Sequence, residues 1–154
     1  YTDHVLSEII STLEGLENTS CAMFYCADHG EDLMDEEDER FLHASPTVTY
    51  YQLHVASLAW FSERYKQDHP DKVEASLSNA HAPATTFSVF HTMADMASIR
   101  SNYVDKTASL LNPGFDFEAE RYYLSDHNKA VILDENIGIN AMQRDIFLKH
   151  GIEL

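Results

Sequence analysis

Residues 21–27, Cys-Ala-Met-Phe-Tyr-Cys-Ala, form an apolar run that stops abruptly at Asp28-His29-Gly30-Glu31. Seven residues are too few for a helix of ordinary length and suit a short buried strand. Upstream, Val5, Leu6, Ile9, Ile10 and Leu13 recur at helical spacing over 4–14, and Gly15 is a stop signal. Leu-Glu-Asn-Thr-Ser at 16–20 is then a short loop. Helix, short loop, buried strand is the connection of an α/β sheet. No other feature limits the fold as much.

The rest of the chain extends that pattern. Residues 54–62 read as a second buried strand. Residues 62–79 are polar and helical in parts, interrupted near Pro70. The clearest later helix spans 84–99. Phe87, Phe90, Met93, Ala94 and Ala97 share one face there, and Thr85 or Thr86 is a capping candidate. Residues 100–120 are loop-rich, with Asn112-Pro113-Gly114 a turn. Two short strands about a turn at Asp126-His127-Asn128 follow, then a helix ending at Gly151. With no internal repeat and no linker, residues 1–154 read as one domain unit, long enough to bury a core.

Charge narrows the function. The chain has 26 acidic residues against 10 Lys and Arg, a net charge of −16. Such a field repels phosphate backbones and argues against nucleic-acid binding. It attracts divalent cations. An anionic substrate would need a metal or a local cationic pocket. No apolar run reaches the roughly 18 residues of a membrane span, and no signal peptide is visible. The chain starts at Tyr1 inside a helical pattern, which reads as a piece of something longer. Cys21 and Cys26 lie five apart on one strand, point to opposite faces and are not expected to pair.

Residues 31–40 hold seven acids in ten positions. This reads as a solvated loop. It does not fit the EF-hand template, which needs Gly at its sixth position and a fixed acid spacing. Functional groups in open α/β sheets gather at the carboxyl ends of strands, where Asp28 and His29 fall. Gly30 lets the backbone curl there without a Cβ clash. A carboxylate oxygen with an imidazole nitrogen suits zinc. Taken alone, the tripeptide reads first as a turn carrying a surface histidine. His43 lies fourteen residues after His29, at the far end of the acidic loop. A loop that leaves and returns would bring it back over the same strand end. Of the other histidines, His4, His69, His127 and His150 read as surface residues and His54 and His91 as satisfied core residues. His81 has no assigned place.

Five stretches in order carry a resemblance: YTDHVLSEII, AMFYCADHGEDL, FLHASP, YYQLHVASLAWFSERY and FSVFHTMADMASI. They resemble the C-terminal part of the catalytic domain of bacterial phosphoethanolamine transferases, within the alkaline phosphatase/sulfatase superfamily. Asp-His-Gly-Glu occurs across the superfamily, and the ordered series over roughly 1–100 is more specific. The resemblance implies an alkaline phosphatase-like α/β fold, a sheet flanked by helices, of which this chain is the C-terminal portion. It implies that Asp28 and His29 are ligands of a catalytic zinc. It implies that His43 contacts substrate or a second metal.

The reaction implied is ping-pong transfer through a phospho-threonine. The donor is of the phosphatidylethanolamine type, and the acceptor is lipopolysaccharide or another envelope lipid or glycan. The setting is the periplasmic face of the inner membrane. The family's nucleophilic threonine and its acidic zinc ligand lie upstream of Tyr1, so no catalytic nucleophile falls in this chain. Here Ala44 stands where glycine is usual after the histidine. Ala56 stands where the Gln-x-x-Val-Pro strand has proline. A sulfatase or phospho-hydrolase of the same superfamily is the alternative, and a non-catalytic acidic binding module is the alternative from another class. An uncovered sheet edge would favour a homo-oligomer.

Overall fold

The computed structural model describes residues 1–34, 39–43, 48–125, 129–135 and 137–154. The strand expected at 21–27 is β1 (Ala22–Cys26), and that at 54–62 is β4 (Ser57–Phe61). They pair antiparallel with Ala22 opposite Phe61 and Cys26 opposite Ser57. Neither strand is fully buried, contrary to expectation. All of β1 is half-buried, and Ser57 and Leu58 of β4 are exposed. Two further antiparallel pairs complete the strands among the described residues. They are β2 (Asp32–Leu33) with β3 (Phe41–Leu42), and β5 (Tyr122–Leu124) with β6 (Ala130–Ile132). The turn expected at Asp126-His127-Asn128 lies outside the described residues.

The chain forms two compact units. The first comprises Tyr1–Cys26 and Ser57–Phe117. It contains α1 (Thr2–Glu14), the β1–β4 pair, α3 (Glu63–Asp68), α4 (Pro70–Ser78) and α5 (Phe87–Met96). Its core is Tyr65, Met96 and Leu111, with Ala22, Phe24, Phe61, Val73 and Leu110 packed around them. Pro70 opens α4, where its missing N–H costs nothing. The Ser62 hydroxyl caps α3 by accepting from the Tyr65 N–H. Cys21 is buried, Cys26 is half-buried, and they form no disulfide.

Helix α5 keeps only part of the expected face. Ala94 is buried as expected, but Phe87, Phe90, Met93 and Ala97 are exposed, while Ser88, His91 and Thr92 are buried. The irregular segment after the helix explains the difference. Its backbone N–H groups need acceptors once buried, and α5 supplies them. The Asp105 N–H donates to His91 Nδ1 at 3.0 Å, and the Leu110 N–H donates to Thr92 Oγ1 at 3.0 Å. The Ser109 hydroxyl donates to Asp95 at 2.9 Å. His91 is therefore a satisfied core histidine, as expected. Thr86 occupies the N-cap position without a side-chain cap.

Tyr65 gives this unit a pH signature. Its hydroxyl donates to the Met96 carbonyl at 2.8 Å. Burial, and secondarily the Asp95 carboxylate, push it up to about 12 from the ordinary 10. The folded state thus holds this proton more tightly than the unfolded chain. The associated stability is complete below pH 10 and is lost as pH rises from 10 through 12. Urea midpoints measured over that window should fall more steeply for the wild type than for Tyr65→Phe. At neutral pH the same variant should lose about 1 kcal/mol, the worth of one hydrogen bond.

The second unit comprises Ala27–Ala56 and Glu118–Leu154. It holds the β2–β3 and β5–β6 hairpins, α2 (Tyr50–Leu53) and α6 (Ala141–Lys149). Val48, Tyr50, Ile137, Ile139, Ile146 and Phe147 form its core. Asn140 caps α6 through the Gln143 N–H. The Gln143 side chain in turn accepts from the Tyr50 N–H at 3.2 Å. His54 is exposed rather than buried, and its ring stacks on Tyr50, as does that of His150. No helix among the described residues is long and apolar enough to cross a membrane.

Candidate functional site

Asp28, His29 and His43 all fall in the second unit, and three local devices position them. The first is backbone contact at Gly30. Its N–H donates to the Gln52 carbonyl at 2.9 Å, and a Cβ there would lie 1.8 Å from the Tyr51 carbonyl oxygen. Gly30 does not have a positive φ. Glycine is needed for close approach to α2, not for a left-handed turn.

The second device is the β2–β3 hairpin. Where a solvated loop is expected, Asp32 and Leu33 pair with Leu42 and Phe41. This returns the chain and sets the His43 ring against that of His29, with centroids 3.9 Å apart. Residues 35–38 of the acidic run lie outside the described residues.

The third device is a buried polar latch. Asp32 is 4% exposed, so the acidic run is not solvated throughout. Its carboxylate accepts from Thr49 Oγ1 at 2.5 Å and from Gln52 Nε2 at 2.5 Å. Arg40 Nε lies 3.7 Å away. Thr49 is also the N-cap of α2 and accepts from the Gln52 N–H. The segment around Gln52 is therefore a single helical turn rather than the start of a strand. Its amide ties α2 to β2.

Hydrogen bonding sets the histidine tautomers. His29 Nδ1 lies 3.0 Å from the Gly30 carbonyl oxygen, which can only accept. Nδ1 thus carries the proton and Nε2 the lone pair. Nε2 is 3.8 Å from Asp28 Oδ2. Ligands about 2.0–2.2 Å from one tetrahedral cation stand roughly 3.3–3.6 Å apart. The pair fits one divalent ion after a shift of a few tenths of an ångström. The Asp28 carboxylate is 92% exposed, with room to make it.

Sequence reasoning missed Glu31. Its Oε1 is 2.7 Å from His43 Nδ1 and 3.8 Å from His29 Nδ1. His29, Glu31 and His43 together offer atoms within 4.8 Å of one another, a set able to hold a metal ion. The available signal was Glu31's place directly after Asp28-His29-Gly30. Counting it among seven loop acids concealed it.

The sulfatase family model matches residues 1–99, and the chain belongs to the sulfatase family. It is similar to the phosphoethanolamine transferase EptC of Escherichia coli, at 26% identity over 137 residues. That match covers 87% of this chain and 22% of EptC. It is also similar to the phosphoethanolamine transferase CptA of Salmonella typhimurium, at 27% identity over 73% of this chain and 19% of CptA. The chain thus spans about a fifth of the length of the curated relatives it matches.

Among solved structures, it resembles the C-terminal periplasmic domain of Escherichia coli EptC in complex with Zn. The TM-score is 0.71 and the identity 23%, covering 93% of this chain and 39% of that one. The corresponding EptC domain of Campylobacter jejuni gives a TM-score of 0.65 at 25% identity, covering 75% and 36%. The α/β, alkaline phosphatase-like fold expected from the sequence is therefore the fold of this chain.

Proposed function

We propose that residues 1–154 are the C-terminal portion of the catalytic domain of a zinc-dependent phosphoethanolamine transferase. Asp28 and His29 are its zinc ligands, and His43 faces the transferring phosphoryl group or a second metal. The observation that carries this reading is the Asp28–His29 pair. A carboxylate oxygen and a lone-pair imidazole nitrogen stand 3.8 Å apart, with the other ring nitrogen tied to a backbone carbonyl. Outer hydrogen bonds of this kind orient metal-binding histidines. The similarity to EptC and CptA supports the class of reaction, and the zinc in the Escherichia coli EptC domain supports the metal.

Bound zinc would lower the pKa of a hydroxyl nucleophile and neutralise charge on the phosphoryl oxygens. This chain supplies two ligands held by the Gly30 backbone. It also supplies His43, set beside them by the hairpin. A threonine nucleophile and a further acidic ligand belong to a segment before Tyr1 in the longer protein. The donor is of the phosphatidylethanolamine type, and the acceptor is lipopolysaccharide or another envelope component at the periplasmic face of the inner membrane.

Calorimetric titration of the 154-residue chain with zinc is expected to show weak binding, because two or three ligands leave the coordination sphere open. Asp28→Ala and His29→Ala should each abolish it. The chain alone should not turn over a phosphoethanolamine ester, and the longer protein should. Tight stoichiometric zinc in the isolated monomer, or turnover by it, would count against the reading. A second reading, a sulfate- or phosphate-ester hydrolase, is favoured by the breadth of the family match itself. Hydrolysis by the longer protein without transfer to an acceptor would decide for it. Unchanged function after loss of Asp28 and His29 would instead indicate a non-catalytic acidic binding module.

A further inference from the structure

The structure assigns Glu31 as the positioning residue of His43: its carboxylate locks the imidazole in the tautomer that leaves Nε2 as the lone-pair atom. The contact is specific. Glu31 Oε1 lies 2.7 Å from His43 Nδ1, within the range of charge-assisted hydrogen bonds. An ionised carboxylate only accepts, so the proton sits on Nδ1. Oε2 of the same carboxylate is buried and has no hydrogen-bond partner among the described residues. Oε1 is the carboxylate oxygen that faces the histidines.

The neighbouring ring makes the arrangement two-sided. His29 is held in the same tautomer by a different group, the Gly30 carbonyl oxygen. The two rings overlap with centroids 3.9 Å apart and planes at 37°. Their Nδ1 edges share the Glu31 oxygen, at 2.7 and 3.8 Å. Nε2 of each ring lies on the edge away from that hydrogen bond. A histidine free to change tautomer would offer Nε2 only part of the time. Glu31 removes that freedom, as the carboxylate partners of catalytic and metal-binding histidines do. What Nε2 of His43 faces, a phosphoryl oxygen or a cation, rests on the reading proposed above. The tautomer does not, and can be read without metal or substrate.

The test is nitrogen-15 NMR of the histidine rings in the metal-free 154-residue chain. The spectra are read on the alkaline plateau of a pH series, where adding more base no longer moves the ring shifts. Wild-type His43 should show the Nδ1–H tautomer. Glu31→Gln should retain it, because an amide oxygen accepts the same hydrogen bond. Glu31→Leu should shift the tautomer ratio toward Nε2–H by roughly tenfold or more, the worth of a hydrogen bond to a charged group. His29, held by Gly30, should stay Nδ1–H in all three chains. This reports that the local fold persists. Wild-type His43 found as Nε2–H would overturn the assignment. So would Glu31→Leu matching the wild type while His29 is unchanged. Failure of the zinc titration with these tautomers intact would instead count against the zinc reading alone.

Discussion

Gly30→Ala should destabilise the second unit by about 3 kcal/mol or more, the upper end of what overpacking costs. The added Cβ would sit 1.8 Å from the Tyr51 carbonyl oxygen and 3.0 Å from its carbon. Those atoms are backbone and cannot swing aside. Tyr51 is held between buried Tyr50 and Gln52 in a helical turn capped by Thr49. Relief requires the backbone around Gly30 to move off α2, which breaks the bond from the Gly30 N–H to the Gln52 carbonyl. The direction is informative. At a glycine without a positive φ, alanine ordinarily stabilises by about 0.4–1 kcal/mol through the unfolded state. At Gly138 an added Cβ would meet nothing within 4 Å among the described residues, so Gly138→Ala should show that ordinary behaviour. Urea unfolding of both variants checks the contrast. A Gly30→Ala midpoint at or above the wild type would refute the close approach. The same variant should lose zinc binding, because its neighbours Asp28 and His29 move with the backbone.

The second large effect is expected at Asp32. Asp32→Ala should cost about 3–5 kcal/mol, the range for removing one partner of a buried charged network. It strands the Thr49 hydroxyl, the Gln52 amide and the side of Arg40 facing the carboxylate. Asp32→Asn should cost less. One amide oxygen still accepts from Thr49 or Gln52, but its NH2 meets a second donor. Because Asp32 opens β2 directly after Glu31, Asp32→Ala should also loosen the hairpin that returns His43. Denaturant midpoints give the stability, and loss of the ring contact between His29 and His43 by NMR gives the geometry. An Asp32→Ala chain within about 1 kcal/mol of the wild type would mean that the latch contributes no more than an ordinary hydrogen bond.

The elements with strong local patterns were legible. The apolar run at 21–27, the spacing of Val5, Leu6, Ile9, Ile10 and Leu13, and Pro70 announce β1, α1 and the α3–α4 break through side chains close in sequence. The face of α5 was not legible. Phe87, Phe90 and Met93 make an apolar stripe, yet the helix buries His91 and Thr92. The demand for acceptors comes from a loop fourteen to eighteen residues away. Asp32 misled for the same reason. Among six other acids it looks solvated, and only Thr49 and Gln52, seventeen and twenty residues on, make its burial tolerable.

By itself, the sequence determined the α/β class, the order of its main elements, and the nomination of Asp28, His29 and His43. The class and the order follow from local hydrophobic period, and the three residues from the Asp28-His29-Gly30-Glu31 motif together with the resemblance of the ordered stretches to a known family. Only the tertiary structure decided that a hairpin sets His43 on His29, that Gly30 is needed for contact with Tyr51, and that Glu31 holds one imidazole. Each of these depends on atoms within 4 Å that are distant along the chain. Periodicity and spacing carry no information about such distances until the backbone has folded.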